Sequence, residues 1–254
     1  MFSFFSRKNK KIKVNIGEFL RQDMHSHIIP GLDDGAPDIE TAISLIRGMH
    51  EAGISCFMGT PHIMEELYHN NKETIAPAYE ALKQGLKEAQ LNVQVNYAAE
   101  YMVDEGFLAH LRTKRLLTLY DNWVLIETPF YTEPIDMEEV LFQIETAGYK
   151  AILAHPERYH YVDDRFKVFE KYIHRGMKLQ LNVLSLTGYY GLKEREVANR
   201  LLEAGYYQYI GTDLHHERHL NRLSHIELEK KTIQLMEKNN WENHLITEWH
   251  SNVQ

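Results

Sequence analysis

The chain has 254 residues, of which 44% are hydrophobic and 25% charged, which is enough for one sizeable folded domain. A formal net charge of −8 argues against a nucleic-acid-binding surface, and no apolar run approaches the roughly 18 residues of a membrane-spanning helix. The single cysteine, Cys56, excludes an intramolecular disulfide and predicts a reducing, cytoplasmic setting.

The N-terminus begins with an apolar stretch and continues with a basic one. Residues 1–5 are Met-Phe-Ser-Phe-Phe and residues 7–11 are Arg-Lys-Asn-Lys-Lys. A secretory signal has the reverse order, so we expect none here. Two interpretations stay open: a disordered leader, or a weak contact with a membrane surface or a partner. We predict an N-terminal extension over residues 1–20 and a single domain over residues 21–254.

Strand-like and helix-like stretches alternate along the rest of the chain. The apolar patterns predict seven strands, over 19–27, 54–59, 92–99, 123–126, 151–154, 178–182 and 206–211. Helices are predicted after Pro37 and over 72–90, 104–112, 137–147, 166–174 and 193–204, with an amphipathic region over 226–238. This alternation predicts an α/β fold with parallel strands and helical crossovers.

Residues that can bind metal stand at the ends of successive predicted strands. His25 and His27 are two residues apart on a strand, so both side chains share one face. The turn Asp33-Asp34-Gly35 can return a carboxylate to the same space. In a closed barrel the carboxyl ends of the strands converge on one face. The residues in question are His25, His27, His62, Glu100, Glu127, His155, Asp213 and His215.

Each of these residues taken alone is more often structural than functional. Their recurrence at six strand ends favours a shared site, because buried carboxylates without cations are strongly unfavourable. Nitrogen and oxygen ligands without a thiolate suit Mn²⁺, Fe or Zn²⁺. Eight or nine ligands exceed what one ion accepts, so we expect two or three ions. Such ions activate a shared water, which indicates hydrolysis, most naturally of a phosphoester.

Two arginines are candidates for holding a phosphate oxygen. Arg158 lies in His-Pro-Glu-Arg-Tyr and Arg218 follows His215 closely, although either could be a surface salt-bridge partner. A cysteine-dependent tyrosine phosphatase needs an arginine six residues after its cysteine. Six residues after Cys56 stands His62, so that mechanism is excluded.

These motifs together resemble the polymerase-and-histidinol-phosphatase (PHP) superfamily. Within it, the chain is most similar to the manganese-dependent protein-tyrosine phosphatases of bacterial capsule and exopolysaccharide operons. The resemblance covers about residues 21–250, and the turn at 33–35 and the motif at 155–159 favour the capsule branch. The matching segments are 23–28, 33–35, 60–62, 99–101, 125–127, 154–159 and 212–215.

The resemblance implies a single-domain, distorted (β/α)7 barrel with a trinuclear centre, manganese being the first choice of metal. It also implies Asp34 as a further ligand or a proton-transfer group. The implied ligands of one ion are His25, His27, Glu100 and Asp213. Those of the other ions are His62, Glu127 and His155, completed by His215.

The implied substrate is a phosphotyrosine protein, namely a tyrosine autokinase that controls polysaccharide export. We expect direct attack on phosphorus by a metal-bridging hydroxide, without a phosphoenzyme. One alternative is a PHP phosphatase of a small phosphomonoester such as histidinol phosphate. Another is a catalytically silent barrel that serves as a binding module, which the filled ligand positions disfavour. The oligomeric state is left open.

Overall fold

The computed structural model describes residues 10–113, 115–132, 136–161 and 165–253. Its strands are β1 (Lys11–Val14), β2 (Gln22–Ser26), β3 (Cys56–Gly59), β4 (His62–Ile63), β5 (Gln94–Tyr97), β6 (Glu100–Met102), β7 (Trp123–Glu127), β8 (Lys150–Ala154), β9 (Lys178–Asn182), β10 (Tyr207–Gly211) and β11 (Ile226–Glu229). Its α-helices are α1 (Ile39–Glu51), α2 (Lys72–Glu88), α3 (Glu105–Thr113), α4 (Met137–Thr146), α5 (Arg165–His174), α6 (Leu192–Glu203), α7 (Glu217–Leu223), α8 (Lys230–Lys238) and α9 (His244–Val253). Short 3-10 helices span Ile16–Glu18, Pro156–Arg158 and Val183–Thr187.

Two parallel sheets carry the functional end of the molecule. One has six strands in the order β10-β9-β8-β7-β6-β4, and the other has three in the order β2-β3-β5. All pairings within these sheets are parallel. The predicted α/β fold with parallel strands is therefore confirmed. The strand interiors are buried, as expected for strands covered by helices.

The first and last strands of this parallel set meet along one seam. The backbone N–H of Asp213 donates to the carbonyl of His25 at 2.8 Å, and that of His27 donates to the carbonyl of Leu214 at 2.9 Å. Ser26 and Leu214 form an isolated parallel bridge at the same place. The carboxyl end of β2 is thereby fixed beside that of β10.

A second seam connects the sheets where two strands are interrupted. The N–H of Ala98 donates to the carbonyl of Gly59 at 2.9 Å, and the N–H of Glu100 donates to the carbonyl of Pro61 at 3.2 Å. The chain therefore runs on from β3 into β4 and from β5 into β6, and the two segments stay hydrogen-bonded to each other. Pro61 lacks the N–H that a continuous ladder would use, which accounts for the break between β3 and β4.

Helix α1 illustrates why these elements form where they do. The Asp38 side chain accepts a hydrogen bond from the N–H of Thr41 at 2.8 Å and so caps the helix at its first turn. Apolar residues at helical spacing then face the core. The buried ones are Ala42, Leu45, Ile46 and Met49.

The segment before β2 packs against the same core. β1 pairs antiparallel with β11, and Val14, Ile16 and Leu20 are buried. At Gly17 a Cβ atom would lie 2.1 Å from the carbonyl oxygen of Ala52, so only glycine allows this approach. The boundary at residue 20 stays a prediction. Most of the basic and aromatic leader lies in residues 1–9, outside the described ranges, and its contact with a membrane surface stays a prediction too.

The element boundaries differ from the predicted ones at several places. Glu100 begins a strand of its own, whereas we expected it to follow one long strand over 92–99. His62 likewise begins β4. The predicted amphipathic region 226–238 divides into β11 and α8, and α7 and α9 had no counterpart in the prediction. Within the described ranges no helix has both the length and the apolar character needed to cross a bilayer.

Candidate metal centre

The eight predicted ligands come together on one side of the two sheets, and six of them lie at or just after the carboxyl end of a strand. β2 supplies His25 and, one residue past its end, His27. Two-residue spacing brings their Nε2 atoms to within 3.3 Å of each other, as predicted. The other six lie at the first residue of β4 and β6, at the last residue of β7, and just after β8 and β10. They are His62, Glu100, Glu127, His155, Asp213 and His215.

Two residues reach the site through an unusual backbone conformation. His155 has φ of 34° and Asp213 has φ of 53°, both in the left-handed region that non-glycine residues seldom adopt. His155 directly follows β8, and Asp213 comes two residues after the end of β10. The chain therefore turns as it leaves the sheet. Such strain persists where the surrounding structure fixes it, and it concentrates at functional sites.

Four donor side chains converge on a small space at the centre. The Nε2 atom of His25 lies 3.1 Å from Oε2 of Glu100 and 3.4 Å from Oδ1 of Asp213. The Nε2 atom of His27 lies 3.3 Å and 3.4 Å from the same two oxygens. All four side chains are buried. This group has the same members as the set that the resemblance implies for one ion.

Two further groups adjoin the first and share side chains with it. One contains His62, Glu100 and Glu127, where Nδ1 of His62 lies 3.2 Å from Oε2 of Glu100 and 2.9 Å from Oε1 of Glu127. His155 stands beside this group, with Nε2 3.1 Å from Oε1 of Glu100. The remaining group consists of His27, Asp34, His62 and His215.

The donor atoms fit cations better than they fit one another. Among the described residues, four buried atoms here have no hydrogen-bond partner: Nδ1 of His62, Oε2 of Glu100, Oε1 of Glu127 and Nδ1 of His155. Ligand atoms about 2.1 Å from one ion and at right angles lie about 3 Å apart, which is the spacing found here. Polar atoms that crowd together without bonding are costly unless a cation joins them. The residues present therefore fit a multinuclear site for divalent ions.

Mutual attraction governs the protonation of this cluster. Burial alone would lower the pKa of His25, but the carboxylates of Glu100 and Asp213 outweigh it and raise that pKa to about 9. Burial would raise the pKa of Glu100, which instead is held well below its ordinary value by the charge of His25 and a hydrogen bond from His155. Against the effect of burial, the pKa of His27 is likewise raised well above its ordinary value, mainly by the charge of Asp33, so without bound ions His25 and His27 carry positive charge that the carboxylates require.

Outer residues orient the two central imidazoles. Nδ1 of His25 lies 2.9 Å from Oε1 of Gln180, and Nδ1 of His27 lies 2.7 Å from Oδ2 of Asp33. Asp33 also accepts hydrogen bonds from the backbone N–H groups of His62 and Gly35, both at 2.9 Å. These contacts direct the Nε2 atoms toward the centre, as outer ligands do in metal sites. The sequence motif named Asp33 but gave no sign of this role.

Arg158 is held at the edge of the centre in a fixed orientation. Its guanidinium donates to Oδ2 of Asp213 at 2.7 Å. The Cζ atom lies 4.6 Å from the ring centre of Phe130 and 4.1 Å from that of Tyr190, so the group is held between two aromatic faces. One of its five N–H donors is thereby used, and others are available to an anion.

The two remaining candidate residues differ in position. Asp34 is half-exposed, with Oδ1 3.6 Å from Nε2 of both His62 and His215, so it joins the centre. Arg218 is exposed in the first turn of α7 and does not line the cavity, so the structure does not bring it to the site. Its helix instead presents the buried His219, whose Nδ1 accepts from the N–H of His215 at 3.3 Å.

A cavity of about 340 Å³ opens above the ligand cluster. Its walls include aromatic rings that the sequence pattern did not single out. Tyr68 stacks on His62 with 12° between the ring planes, and Phe130 and Tyr190 lie on either side of Arg158. The lining residues are Asp34, His62, Met64, Leu67, Tyr68, Met102, Glu127, Phe130, His155, Arg158, Tyr190, Asp213, His215, His216 and His219.

Comparison with known proteins identifies a consistent set of relatives. The model of the capsular polysaccharide synthesis family CpsB/CapC matches residues 21–252. The chain is 28% identical over 200 residues to the tyrosine-protein phosphatase YwqE of Bacillus subtilis, covering 78% of this chain and 79% of that protein. It is 26% identical over 199 residues to the tyrosine-protein phosphatase CpsB of Streptococcus pneumoniae, covering 76% and 82%.

A solved structure agrees with the sequence matches. It comes from work on YwqE of Bacillus subtilis and CpsB of Streptococcus pneumoniae, described as unique metal-dependent tyrosine phosphatases. The TM-score is 0.75 at 25% sequence identity, and the match covers 89% of this chain and 91% of that one. The overall arrangement described above is therefore shared with experimentally determined structures.

Replacement of Asp33 by alanine should weaken metal binding about 10- to 100-fold, because His27 loses the partner that orients its ring. Titration of metal-stripped protein with Mn²⁺, followed by calorimetry, measures this change. Asp38→Ala is the matched control, since that carboxylate caps α1 on the exposed surface. It should cost about 1 kcal/mol of stability and leave the affinity unchanged. Equal affinities for Asp33→Ala and the wild type would contradict the orienting role.

Binding of Mn²⁺ to metal-stripped protein at neutral pH should release protons. His25, with its pKa raised to about 9, is protonated there, and an imidazole must lose its proton to become a ligand. The apparent affinity should accordingly rise as the pH rises toward that value. Calorimetry in buffers of different ionisation enthalpy measures the number of protons released. A binding enthalpy that does not vary with the buffer would show that no proton leaves.

Proposed function

The chain belongs to the CpsB/CapC capsular polysaccharide synthesis family, and on this premise we propose that it is a metal-dependent protein-tyrosine phosphatase. The observation that carries the proposal is the overlap of three ligand groups beneath a cavity edged by Arg158. Its named relatives are tyrosine-protein phosphatases, and a structure of the same kind is described as metal-dependent.

The proposed cofactors are two or three divalent ions, manganese first, with Fe or Zn as alternatives. Glu100 belongs to two ligand groups, as do His27 and His62, which supports adjacent ions sharing ligands rather than separate sites. Bound there, such ions supply a water of lowered pKa as nucleophile and positive charge for the phosphoryl oxygens. The absence of thiolate ligands fits this choice of metals.

Arg158 is proposed to bind a non-bridging oxygen of the phosphoryl group. Its guanidinium is held by Asp213 and by two aromatic faces, so little freedom is lost when an anion arrives. The charge that develops on the equatorial oxygens is then stabilised by a preorganised donor. A tyrosinate leaving group, with a reference pKa of about 10, needs less protonation than an alkoxide.

Asp34 is proposed as a ligand or a proton acceptor. The adjacent imidazole of His215 lowers the pKa of its carboxyl, although burial opposes the shift. At neutral pH the group is therefore ionised, a form that accepts a proton or binds a cation. Donation of a proton to the leaving group would fall to a site histidine instead.

We further propose that the two parallel sheets form the distorted (β/α)7 barrel that the family resemblance implies. Support comes from the hydrogen bonds along both seams, which connect β2 with the segment after β10 and continue β3 and β5 into the larger sheet. The carboxyl ends would then form one rim, where barrels of this type hold their active residues. A tyrosine autokinase as substrate and a cytoplasmic setting stay predictions.

Hydrolysis of a phosphotyrosine peptide should depend on metal. Activity should disappear after chelation and return with Mn²⁺, while His25→Ala should lose at least about 100-fold in kcat/KM because it removes a central ligand. His174→Ala, an exposed histidine at the end of α5, is the control and should match the wild type. Measurement of bound metal accompanies each assay. Activity that survives proven removal of the ions would overturn the mechanism.

A parallel assay on histidinol phosphate distinguishes a protein-tyrosine phosphatase from a phosphatase of small phosphomonoesters. A higher kcat/KM for histidinol phosphate than for the peptide would favour the small-molecule alternative. A folded, ion-free protein without activity on either compound would favour a binding module.

Cys56→Ser should keep kcat/KM for the phosphotyrosine peptide within about twofold of wild type. Cys56 is the first residue of β3, at the opposite end of the strand from the ligands, and its thiol faces Oε1 of Gln94 at 3.3 Å. Steady-state kinetics and metal content of the purified variant provide the check. A variant that folds and binds metal but lacks activity would restore a role for the thiol.

A further inference from the structure

Several exposed apolar side chains lie on the segments that line the cavity or directly continue from them. Single exposed apolar residues are ordinary on protein surfaces. Here, however, three of the six in the described ranges lie on the segments that form the cavity walls. The six are Ile12, Leu67, Tyr131, Phe142, Leu192 and Trp249. Leu67 lines the cavity, Tyr131 directly follows the lining residue Phe130, and Leu192 comes two residues after the lining residue Tyr190.

Leu67 is presented by a rigid turn. Met64 and Tyr68 pair in antiparallel fashion, their backbone N–H and carbonyl groups bonding at 3.0 and 3.1 Å, so residues 65–67 form the tip. The N–H of Glu65 donates to Oδ2 of Asp104 at 2.9 Å and fixes the tip to the start of α3. Leu67 is 70% exposed in spite of this order, and it lines the cavity.

Tyr131 and Leu192 are connected through a short chain of side-chain contacts. Tyr131 follows Phe130 of the cavity wall, is 78% exposed, and stacks on His160 with 9° between the ring planes. His160 pairs with Glu194 in the first turn of α6, at 3.4 Å. That helix begins with Leu192, which is 73% exposed and comes two residues after Tyr190 of the wall.

We infer that Leu67, Tyr131 and Leu192 form an apolar collar that binds the residues flanking a phosphotyrosine in a polypeptide. A collar of this kind has no use in hydrolysing a small polar phosphomonoester, which fits within the cavity. A tyrosine side chain extends its phosphate well beyond its own backbone, so neighbouring residues of the substrate stay outside, level with the collar. The occupant is therefore an extended segment with apolar side chains beside the phosphotyrosine.

The inference rests on the proposed phosphatase function and specifies its substrate. The collar is continuous with the catalytic cavity through Leu67 itself and through the neighbours of Phe130 and Tyr190. Because the turn that carries Leu67 is rigid and Tyr131 is stacked on His160, both lose little conformational entropy on binding, which favours affinity. Large side chains in such positions contribute to affinity through the apolar area they cover.

The test compares three substrates on full-length, Mn²⁺-loaded protein. They are a phosphotyrosine peptide with leucine and phenylalanine flanks, the same peptide with glycine and serine flanks, and para-nitrophenyl phosphate. The variants are Leu67→Ser, Tyr131→Ser and the double variant. Phe142→Ser, an exposed aromatic residue on α4 away from the cavity, is the matched control.

In wild type, the apolar-flanked peptide should have a kcat/KM about tenfold above that of the polar-flanked one. The double variant should reduce this ratio of kcat/KM values to near unity, mainly by changing KM for the apolar-flanked peptide. It should have a far smaller effect on the kcat/KM of the polar-flanked peptide relative to that of para-nitrophenyl phosphate. Phe142→Ser should leave both ratios as in wild type.

Two adverse outcomes are distinguishable. If wild type cleaves both peptides equally, or if the variants affect all three substrates alike, the collar is refuted while the phosphatase function stands. If para-nitrophenyl phosphate is cleaved and neither peptide is, both the collar and the protein-phosphatase proposal fail.

Discussion

Concentrated negative charge in a dry interior is the constraint on which this structure depends. Glu100, Glu127 and Asp213 are buried, and Glu100 lies within a few ångströms of each of the other two. Buried carboxylates require compensating positive charge, and the fold places imidazole side chains around them. Parallel strands meet this need, because their carboxyl ends lie on one face and each can deliver side chains to the same site.

The surroundings of the ligands are as specific as the ligands. Asp33 and Gln180 set the rings of His27 and His25, and Asn182 donates to Asp213 at 3.0 Å. At Gly35 a Cβ atom would lie 2.1 Å from the carbonyl oxygen of His27, so the turn that carries Asp33 can approach only with glycine there. A network so closely fitted leaves few ways for the centre to rearrange, and the charge it holds stays where a substrate needs it.

The sequence was informative where spacing maps directly onto geometry. His25 and His27 had to share a face, and a His, Glu or Asp after each apolar run had to meet the others if the strands were parallel.

The sequence was uninformative where a residue acts through distant contacts. Gln180 lies on β9 as an ordinary polar residue, and His219 reaches the cavity only because α7 packs there. Arg218 is close to His215 in sequence but is exposed and does not line the cavity, because proximity in sequence does not decide which side of a short helix faces the site. The strand that begins at Glu100 depended on pairing with distant segments, which local patterns do not encode.

The seam between the first and last parallel strands has a consequence for biosynthesis. The side chain of Asp23 accepts a hydrogen bond from the backbone N–H of Thr212, which is 189 residues away in sequence. The backbone N–H of Asp213 likewise donates to the carbonyl of His25. Such long-range closure makes a fold slow to form. A ribosome-bound chain lacks this closure, and two of the predicted metal-binding groups with it, until nearly all of the polypeptide has emerged. The complete set of ligands can therefore be assembled only after nearly the whole polypeptide has been synthesised.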